Sequence, residues 1–358
     1  MTQEKDKCIK VLVVDDSALM RRLISDMLNR YPDIKVVASA KNGEDAIEKV
    51  GVFKPDVVTL DVEMPVMNGL KCLEILLEKE YIPVIMLSSV TEAGADTTIK
   101  ALEIGAVDFV TKPANVFEIS GRVKEQELVE KIRVASVTKR SRQPGAEIKP
   151  MPLKQTVLAP KSLSLRKIIA IGTSTGGPKA LQEVIPLIPG DIPAAVLIVQ
   201  HMPPGFTRSL AERLDSLSEL TVKEAEDGED VKPGYAYIAP GDYHMLVGRQ
   251  RDGGLKINLS HDPPVNGHRP SVDMMMNSVS NLGINDIIAV IMTGMGGDGS
   301  VGVKRIKEIN RGFVIAQDEK TCVVYGMPRM AVQTGAVDSI VPLNEIADEI
   351  IKNLGVDI

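Results

Sequence analysis

The chain has 358 residues, a length that predicts two domains, each able to bury its own core. Its three cysteines are widely spaced, which excludes a disulfide scaffold and a thiolate zinc site and favours a reducing, cytoplasmic location. A net charge of −6 and the absence of tryptophan argue against nucleic-acid binding. No apolar run reaches the ~20 residues of a membrane span, so we expect no membrane insertion.

The first 130 residues alternate between apolar strand patterns and amphipathic helix patterns. Helical spacing of apolar residues is clear in 20–28 and 70–77. The predicted strands are 9–14, 34–40, 56–60, 83–89 and 106–111. Continuous apolar strands separated by helices are typical of a parallel sheet covered on both faces. We therefore predict a flavodoxin-like, doubly wound (βα)5 domain.

A basic, proline-containing segment separates this block from the rest of the chain. Residues 136–166 carry seven lysines and arginines, one acidic residue and four prolines, without an apolar period. This composition favours an extended linker. The predicted boundaries are 8–128 for the first domain, 129–165 for the linker and 166–355 for the second domain.

The second block is also α/β in pattern. Strands are predicted at 167–172, 194–200 and 286–294, with a helix starting at Pro178. Glycines and prolines recur at turn spacing in 220–260, which predicts short antiparallel strands there. The expected fold is a doubly wound, mostly parallel α/β domain with a small antiparallel portion.

Acidic and basic residues follow the predicted strands of the first block. Asp15 and Asp16 end the first strand, Asp61 ends the third, Ser88 ends the fourth and Lys112 ends the fifth. The carboxyl ends of parallel strands meet at one edge, where open α/β sheets bind ligands. Clustered carboxylates favour Mg²⁺. Each residue alone is more often a helix cap or a turn, but their joint placement predicts a phosphoryl site.

These motifs resemble those of two-component receiver domains. The resemblance rests on VVDDS, TLDVEMPVMNG, MLSS and DFVTKP. It implies that Asp61 accepts the phosphoryl group from a histidine kinase. Its other implied roles are Mg²⁺ binding by Asp15, Asp16, Asp61 and the backbone of Glu63, a switch pair of Ser88 and Phe109, and phosphoryl contact by Lys112. Phe109 lacks the hydroxyl of the tyrosine found in many receivers.

A serine, a histidine and an aspartate follow strands of the second block. Ser174 lies in Gly172-Thr-Ser-Thr-Gly176, between a strand and a helix, as in a nucleophile elbow. A glycine-rich phosphate turn has the same letters. His201 ends the next strand, and Asp298 lies in a glycine-rich loop after 286–294. Neighbouring strand ends could bring all three within hydrogen-bond reach, although the chain order differs from that of α/β-hydrolases.

The whole chain resembles the family of chemotaxis response-regulator protein-glutamate methylesterases. The resemblance rests on IGTSTGGPKAL, QHMPPGFT, YIAPGDYHM, PPVNGHRPSVD, MTGMGGDG and VVYGMPRMA. It implies that Ser174 is the nucleophile, His201 the general base and Asp298 its orienting partner. The further roles expected are an oxyanion contact by the backbone of Met295 and substrate orientation by Thr175, Arg269, Ser271 and Asp273.

The family implies a phosphorylation-activated esterase that removes γ-methyl groups from receptor glutamates, releasing methanol, and deamidates certain receptor glutamines. Expected partners are methyl-accepting chemotaxis receptors and a chemotaxis histidine kinase, with a monomeric enzyme. No cofactor is expected for the esterase reaction. Two alternatives are a receiver fused to a non-catalytic nucleotide-binding domain and a receiver with a DNA-binding output. The acidic balance outside the linker argues against the latter.

Overall fold

The computed structural model describes residues 8–79, 82–112, 122–138 and 165–355. The chain divides into two compact units, Met1–Glu147 and Ile148–Ile358. Within the described ranges, no helix combines the length and the apolar character that a bilayer crossing requires.

The first unit is a five-stranded parallel sheet flanked by helices. Its strands are β1 (Ile9–Val14), β2 (Ile34–Ala40), β3 (Val57–Asp61), β4 (Val84–Ser88) and β5 (Asp108–Thr111). Its helices are α1 (Ala18–Leu28), α2 (Gly43–Phe53), α3 (Gly69–Lys79), α4 (Glu92–Ile104) and α5 (Arg122–Val137). The strand order β2-β1-β3-β4-β5 confirms the predicted flavodoxin-like fold. The three central strands are almost wholly buried, as their apolar sequences predict.

Helix α5 continues beyond residue 128, where the sequence placed the end of the first domain. Its inner face buries Leu128, Val129, Ile132 and Ala135. This spacing of 1, 4 and 7 residues is that of one face of a helix. Residues 129–137 are therefore part of the first unit. The rest of the predicted linker, 139–164, lies outside the described residues.

The second unit contains nine strands, six α-helices and two short 3-10 helices, Ile185–Leu187 and Leu343–Glu345, within its described part. The strands are β6 (Lys167–Thr173), β7 (Ala194–Gln200), β8 (Thr221–Glu224), β9 (Tyr235–Ile238), β10 (His244–Arg249), β11 (Leu255–Ser260), β12 (Ile287–Ile291), β13 (Phe313–Gln317) and β14 (Ser339–Val341). The helices are α6 (Gly177–Val184), α7 (Phe206–Leu217), α8 (Val272–Ser280), α9 (Ser300–Asn310), α10 (Met327–Gln333) and α11 (Ile346–Leu354).

Seven of these strands form one parallel sheet in the order β14-β13-β12-β6-β7-β9-β8. The prediction of antiparallel strands throughout 220–260 was wrong for β8 and β9, which pair in parallel with each other and with β7. Among the described strands of this unit, β10 and β11 are the pair that forms an antiparallel hairpin. The predicted small antiparallel portion is thus present, but it is smaller than expected.

The centre of the seven-stranded sheet places three loops side by side. Strands β12, β6 and β7 are adjacent, and all of them run in the same direction. Their carboxyl ends therefore lie at one edge. The loops that follow them hold Asp298, Ser174 and His201, respectively.

Candidate active site and phosphoacceptor site

Ser174 lies on a tightly packed turn directly after β6. Its backbone N–H donates to Thr293 O at 3.0 Å, and Gln200 Nε2 donates to Ser174 O at 3.0 Å. Gly294 passes so close that a Cβ at this position would lie 2.8 Å from Ser174 Cβ. The turn then enters α6 through Gly176 in the left-handed region, with φ 77°. These contacts fix the backbone and leave the Ser174 side chain half-buried.

His201 follows β7 and contacts Asp298 through one ring nitrogen. Nε2 lies 2.8 Å from Asp298 Oδ2, and the His201 side chain is only 7% exposed. A hydrogen on Nε2 satisfies this carboxylate and leaves Nδ1 as the basic nitrogen. Nδ1 is buried and has no hydrogen-bond partner among the residues of the described ranges. The imidazole is therefore oriented by the carboxylate with one nitrogen open to accept a proton.

Asp298 is held by the first turn of α8. Its Oδ1 accepts from Ser271 Oγ at 2.9 Å and from Asp273 N at 2.9 Å, and its Oδ2 accepts from Val272 N at 2.7 Å. Burial alone would raise the pKa of Asp298, but the hydrogen bond and charge of His201, with these backbone donors, lower it well below 3.8. Asp298 is therefore ionised at the N-terminus of a helix, where negative charge is stabilised.

The structure gives Ser271 and Asp273 a different task from the predicted contact with substrate. Ser271 is fully buried, and Asp273 is 4% exposed. Asp273 Oδ1 accepts from Gly302 N at 2.7 Å, which joins α8 to α9 behind Asp298. Burial and the neighbouring Asp298 raise the pKa of Asp273. Both side chains thus support the carboxylate, and their predicted role in orienting substrate stays a prediction.

Arg269 organises the loop before α8. Its guanidinium donates to Asp242 Oδ1 through Nε at 3.1 Å and through Nη2 at 2.6 Å. Its Nη1 donates to the carbonyl oxygens of His261 and Asp262. All three nitrogens therefore bind within the protein, so the predicted role in orienting substrate stays a prediction.

The remaining predicted residues border Ser174. Thr175 is buried, and its carbonyl oxygen accepts from Thr293 Oγ1 at 2.9 Å. Met295 is half-buried and lies in the loop after β12, next to Gly294. Gly294 O accepts from Met327 N at 2.8 Å, which fixes this loop from the other side. Met295 thus directly follows Gly294, the residue whose backbone packs closely against Ser174.

His268 contacts His201, although the sequence had indicated no catalytic role for His268. The two imidazole rings are stacked with centroids 3.8 Å apart and an angle of 5° between their planes. The sequence signal available was the Asn266-Gly267 pair, which predicts a tight turn that presents the following residue. That signal predicts a turn but does not show which residue the turn will contact, so the contact between His268 and His201 was not predicted.

In the first unit, the predicted acidic cluster assembles at the carboxyl edge of the sheet. Carboxylate oxygens of Asp15, Asp16 and Asp61 lie within 4.8 Å of one another. Lys112 Nζ lies 2.7 Å from Asp15 Oδ2 and 2.6 Å from Asp61 Oδ2. An oxygen-only set of carboxylates beside a lysine fits a hard cation such as Mg²⁺ together with a phosphoryl group.

The ionisation of Asp61 is strongly affected by burial. Asp61 is 3% exposed. Burial raises the pKa of Asp61 from 3.8 to about 6, and the nearby charge of Asp15 adds to this, although Lys112 and the N–H of Glu63 oppose it. Glu63 N donates to Asp61 Oδ1 at 3.4 Å. A cation beside this carboxylate would favour its ionised, nucleophilic form.

The predicted switch residues flank this cluster in buried positions. Ser88 Oγ donates to Gly94 O at 3.2 Å and accepts from Thr98 Oγ1 at 2.8 Å. Phe109 is 4% exposed, and Lys131 from α5 donates to its carbonyl oxygen at 2.6 Å. Lys131 Nζ also lies 5.4 Å from the centre of the Phe109 ring. The hydroxyl of Ser88 is thus bound to α4 and not to Asp61.

Comparison with known proteins agrees with both halves of this description. The family model for CheB methylesterase matches residues 169–350, and the one for the response regulator receiver domain matches residues 11–124. The protein-glutamate methylesterase/protein-glutamine glutaminase 1 of Syntrophomonas wolfei is 49% identical over 96% of this chain and 99% of its own length. The chain belongs to the CheB methylesterase family.

Two further proteins support this membership. The protein-glutamate methylesterase/protein-glutamine glutaminase of Geobacillus kaustophilus is 48% identical over 98% of this chain and 99% of its own length. The crystal structure of the Thermotoga maritima CheB methylesterase catalytic domain is 48% identical, covers 53% of this chain and 98% of that domain, and superposes with a TM-score of 0.51. Membership in the CheB methylesterase family makes the chain a carboxylic ester hydrolase that carries a receiver domain.

Proposed function

We propose that this protein hydrolyses glutamate γ-methyl esters on chemotaxis receptors, releasing methanol, and deamidates receptor glutamines with the same site. Ser174, His201 and Asp298 would carry the reaction. One observation carries the proposal: His201 is bound to a buried, ionised Asp298 through Nε2, while Nδ1 is left without a partner within the described ranges. The family gives the substrate class, since its named relatives are methylesterases and glutaminases.

The chemistry follows from this arrangement. His201 Nδ1 takes the hydroxyl proton of Ser174 as Oγ attacks the ester carbonyl carbon. Asp298 stabilises the resulting imidazolium. The backbone N–H of Met295 is the candidate donor to the oxyanion. The imidazolium then protonates the departing methoxy oxygen, methanol leaves, and a glutamyl ester of Ser174 remains.

Water completes the cycle by the same proton path. His201 removes a proton from water, the hydroxide attacks the acyl carbon, and the proton passes to Ser174 Oγ as the bond breaks. The products are a glutamate carboxyl group and the free enzyme. A glutamine side chain would follow the same route with ammonia as the leaving group.

The receiver unit would regulate this activity through Asp61. In this proposal, a carboxylate oxygen of Asp61 attacks the phosphorus of a phosphohistidine on a chemotaxis histidine kinase, the P–N bond breaks and the kinase histidine leaves, while Lys112 binds a phosphoryl oxygen. Asp15, Asp16 and the backbone of Glu63 would hold Mg²⁺ beside Asp61. A bound Mg²⁺ would neutralise charge on the transferred phosphoryl group. Support comes from the grouping of the three carboxylates and from the pairing of Lys112 with two of them.

Methanol release from methylated receptor membranes tests the esterase. Ser174→Ala should reduce the rate by at least about a thousandfold, because the nucleophile is absent. Ser216→Ala is the matched control, since Ser216 is exposed on α7. Activity of Ser174→Ala near the parent rate would remove Ser174 as the nucleophile and leave the reaction to another group.

A phosphodonor tests the receiver. The parent should be activated when a phosphodonor and Mg²⁺ are both present, whereas Asp61→Asn should keep its basal rate and show no response. Asp26→Asn is the control, because Asp26 is an aspartate of α1 with a side chain 67% exposed. Activation that survives in Asp61→Asn would assign the phosphoryl group to a different residue.

A further inference from the structure

His268 reaches His201 from a rigid turn. Val265 N donates to His268 O at 3.0 Å, and His268 N donates to Val265 O at 2.9 Å. Between them, Asn266 and Gly267 have φ values of 50° and 82°. Two consecutive left-handed residues define a type I′ turn, which asparagine and glycine favour. The local sequence therefore favours the backbone conformation at His268 independently of the contacts of its side chain.

Stacking of His268 on His201 restrains a rotation of the His201 ring that the hydrogen bond to Asp298 alone permits. The hydrogen bond from His201 Nε2 to Asp298 Oδ2 fixes one edge of the imidazole. A ring held at one point can still twist about that bond, and such a twist would swing Nδ1 away from the proton it has to accept. His268 lies parallel to the ring at 3.8 Å, so it opposes this twist. It also covers one face of His201, which agrees with the 7% exposure of that side chain.

The stack should hold a charged His201 ring more strongly than a neutral one. The two rings are nearly parallel with centroids 3.8 Å apart, and two neutral aromatic rings in such a stack attract each other only modestly. A cation over the face of a neutral ring is attracted by the π electrons. In the proposed mechanism, His201 becomes an imidazolium when it takes the Ser174 proton. The contact is thus stronger in the transition state than in the ground state, which is the condition for raising kcat.

We propose that His268 is a positioning residue for the general base. Its ring holds the plane of His201 and stabilises the imidazolium that forms during acylation. The inference rests on the proposed function, because it needs His201 to act as the base. It predicts that full activity needs a flat π face at residue 268.

Two substitutions distinguish the effect of an aromatic ring at position 268 from the effect of side-chain volume. In the full-length protein, His268→Leu should lower kcat for methanol release from methylated receptor membranes by about tenfold or more, with KM within about twofold. His268→Phe keeps a π face and should retain kcat within about threefold. His261→Leu is the control, since His261 is 53% exposed and packs edge-on against Tyr243. This control should match the parent.

The outcomes distinguish this inference from the proposed function. If Ser174→Ala and His201→Gln are inactive but His268→Leu matches the parent, the positioning role is wrong and the esterase proposal stands. Equal losses in His268→Leu and His268→Phe would also overturn it, because the ring would then be irrelevant. If Ser174→Ala and His201→Gln keep parent activity, the proposed function itself fails.

A second measurement applies even if the leucine variant does not fold. A fluorophosphonate reagent labels an activated serine, and its rate reports on the base without involving receptor docking. His268→Phe should label Ser174 at about the parent rate, within threefold, with an unchanged melting temperature. A loss of about tenfold or more in a folded His268→Phe protein would overturn the inference.

Discussion

Replacing Asp61 with asparagine should stabilise the receiver unit at neutral pH, and the gain should shrink as the pH falls. Burial raises the pKa of Asp61 from 3.8 to about 6. The difference is about 2 pKa units, or about 3 kcal/mol at 1.36 kcal/mol per unit. Between these pH values the native state holds a proton that the unfolded state has released. The free energy of unfolding therefore falls as the pH rises from about 4 to about 6.

An uncharged amide at position 61 cannot ionise, so the variant does not lose this stability as the pH rises. Lys112 keeps a carboxylate partner in the variant, because its Nζ also lies 2.7 Å from Asp15 Oδ2. About 1 kcal/mol of the penalty is already present near pH 4.5, and nearly all of it near pH 7.5. The stability difference between Asp61→Asn and the parent should thus grow by about 2 kcal/mol between these two conditions.

Calorimetry of the full-length protein in the presence of a chelator measures this difference as a shift of the receiver transition. The control is Asp26→Asn, whose exposed carboxylate should change stability by less than about 0.5 kcal/mol at either pH. A stability difference for Asp61→Asn that is the same at both pH values would refute the reasoning, since the effect would then not come from the ionisation of Asp61.

Three other changes have defined consequences. Asp298→Asn should lower kcat for methanol release by about a thousandfold or more, because His201 loses the charge that stabilises its cationic form; a loss below about tenfold would contradict this. Ser271→Ala removes a hydrogen bond to a buried carboxylate and should lower the unfolding free energy of the second unit by about 1–3 kcal/mol, measured by denaturant titration. Mg²⁺ should raise the melting temperature of the receiver unit in the parent and much less in Asp15→Asn, as only the parent has all three carboxylates.

The sequence predicted the central strands well because they are continuous apolar runs. The strand at 194–200 was predicted with the bounds that the structure gives. These runs also fixed which residues stand at the carboxyl edge, so Ser174, His201 and Asp298 could be predicted as neighbours. Such strands are buried on both faces, and their pattern depends little on their partners.

Two short strands and the far end of α5 were harder to predict. Strands β8 and β9 have four residues each; β8 pairs in parallel with β9, and β9 pairs in parallel with the more distant β7. Local turn signals therefore suggested hairpins instead. In α5, many charged residues surround the buried face formed by Leu128, Ile132 and Ala135, so its apolar spacing was not recognised in the sequence. Tertiary packing decided both cases.

The hydrogen bonds that support Asp298 could not be predicted from the spacing of residues in the sequence either. Ser271 and Asp273 precede Asp298 by about 25 residues, with β12 between them. The family resemblance implied that their side chains orient substrate. The fold turns that loop into the first turn of a helix whose N–H groups point at Asp298. Only the packing of α8 against α9 brings them together.

The proposed catalytic residues are attached to the middle of the sheet, so loss of activity should accompany cooperative unfolding of this unit. Ser174 and His201 are each the first residue after a central strand, and the strands themselves are almost completely buried. Loops that are tied to a sheet centre in this way have little freedom to open without the strands, so their local unfolding free energy approaches the global value. On heating, loss of esterase activity and melting of this unit should coincide within a few degrees. Substitutions that strengthen the distant edge of the sheet should consequently prolong catalysis at high temperature.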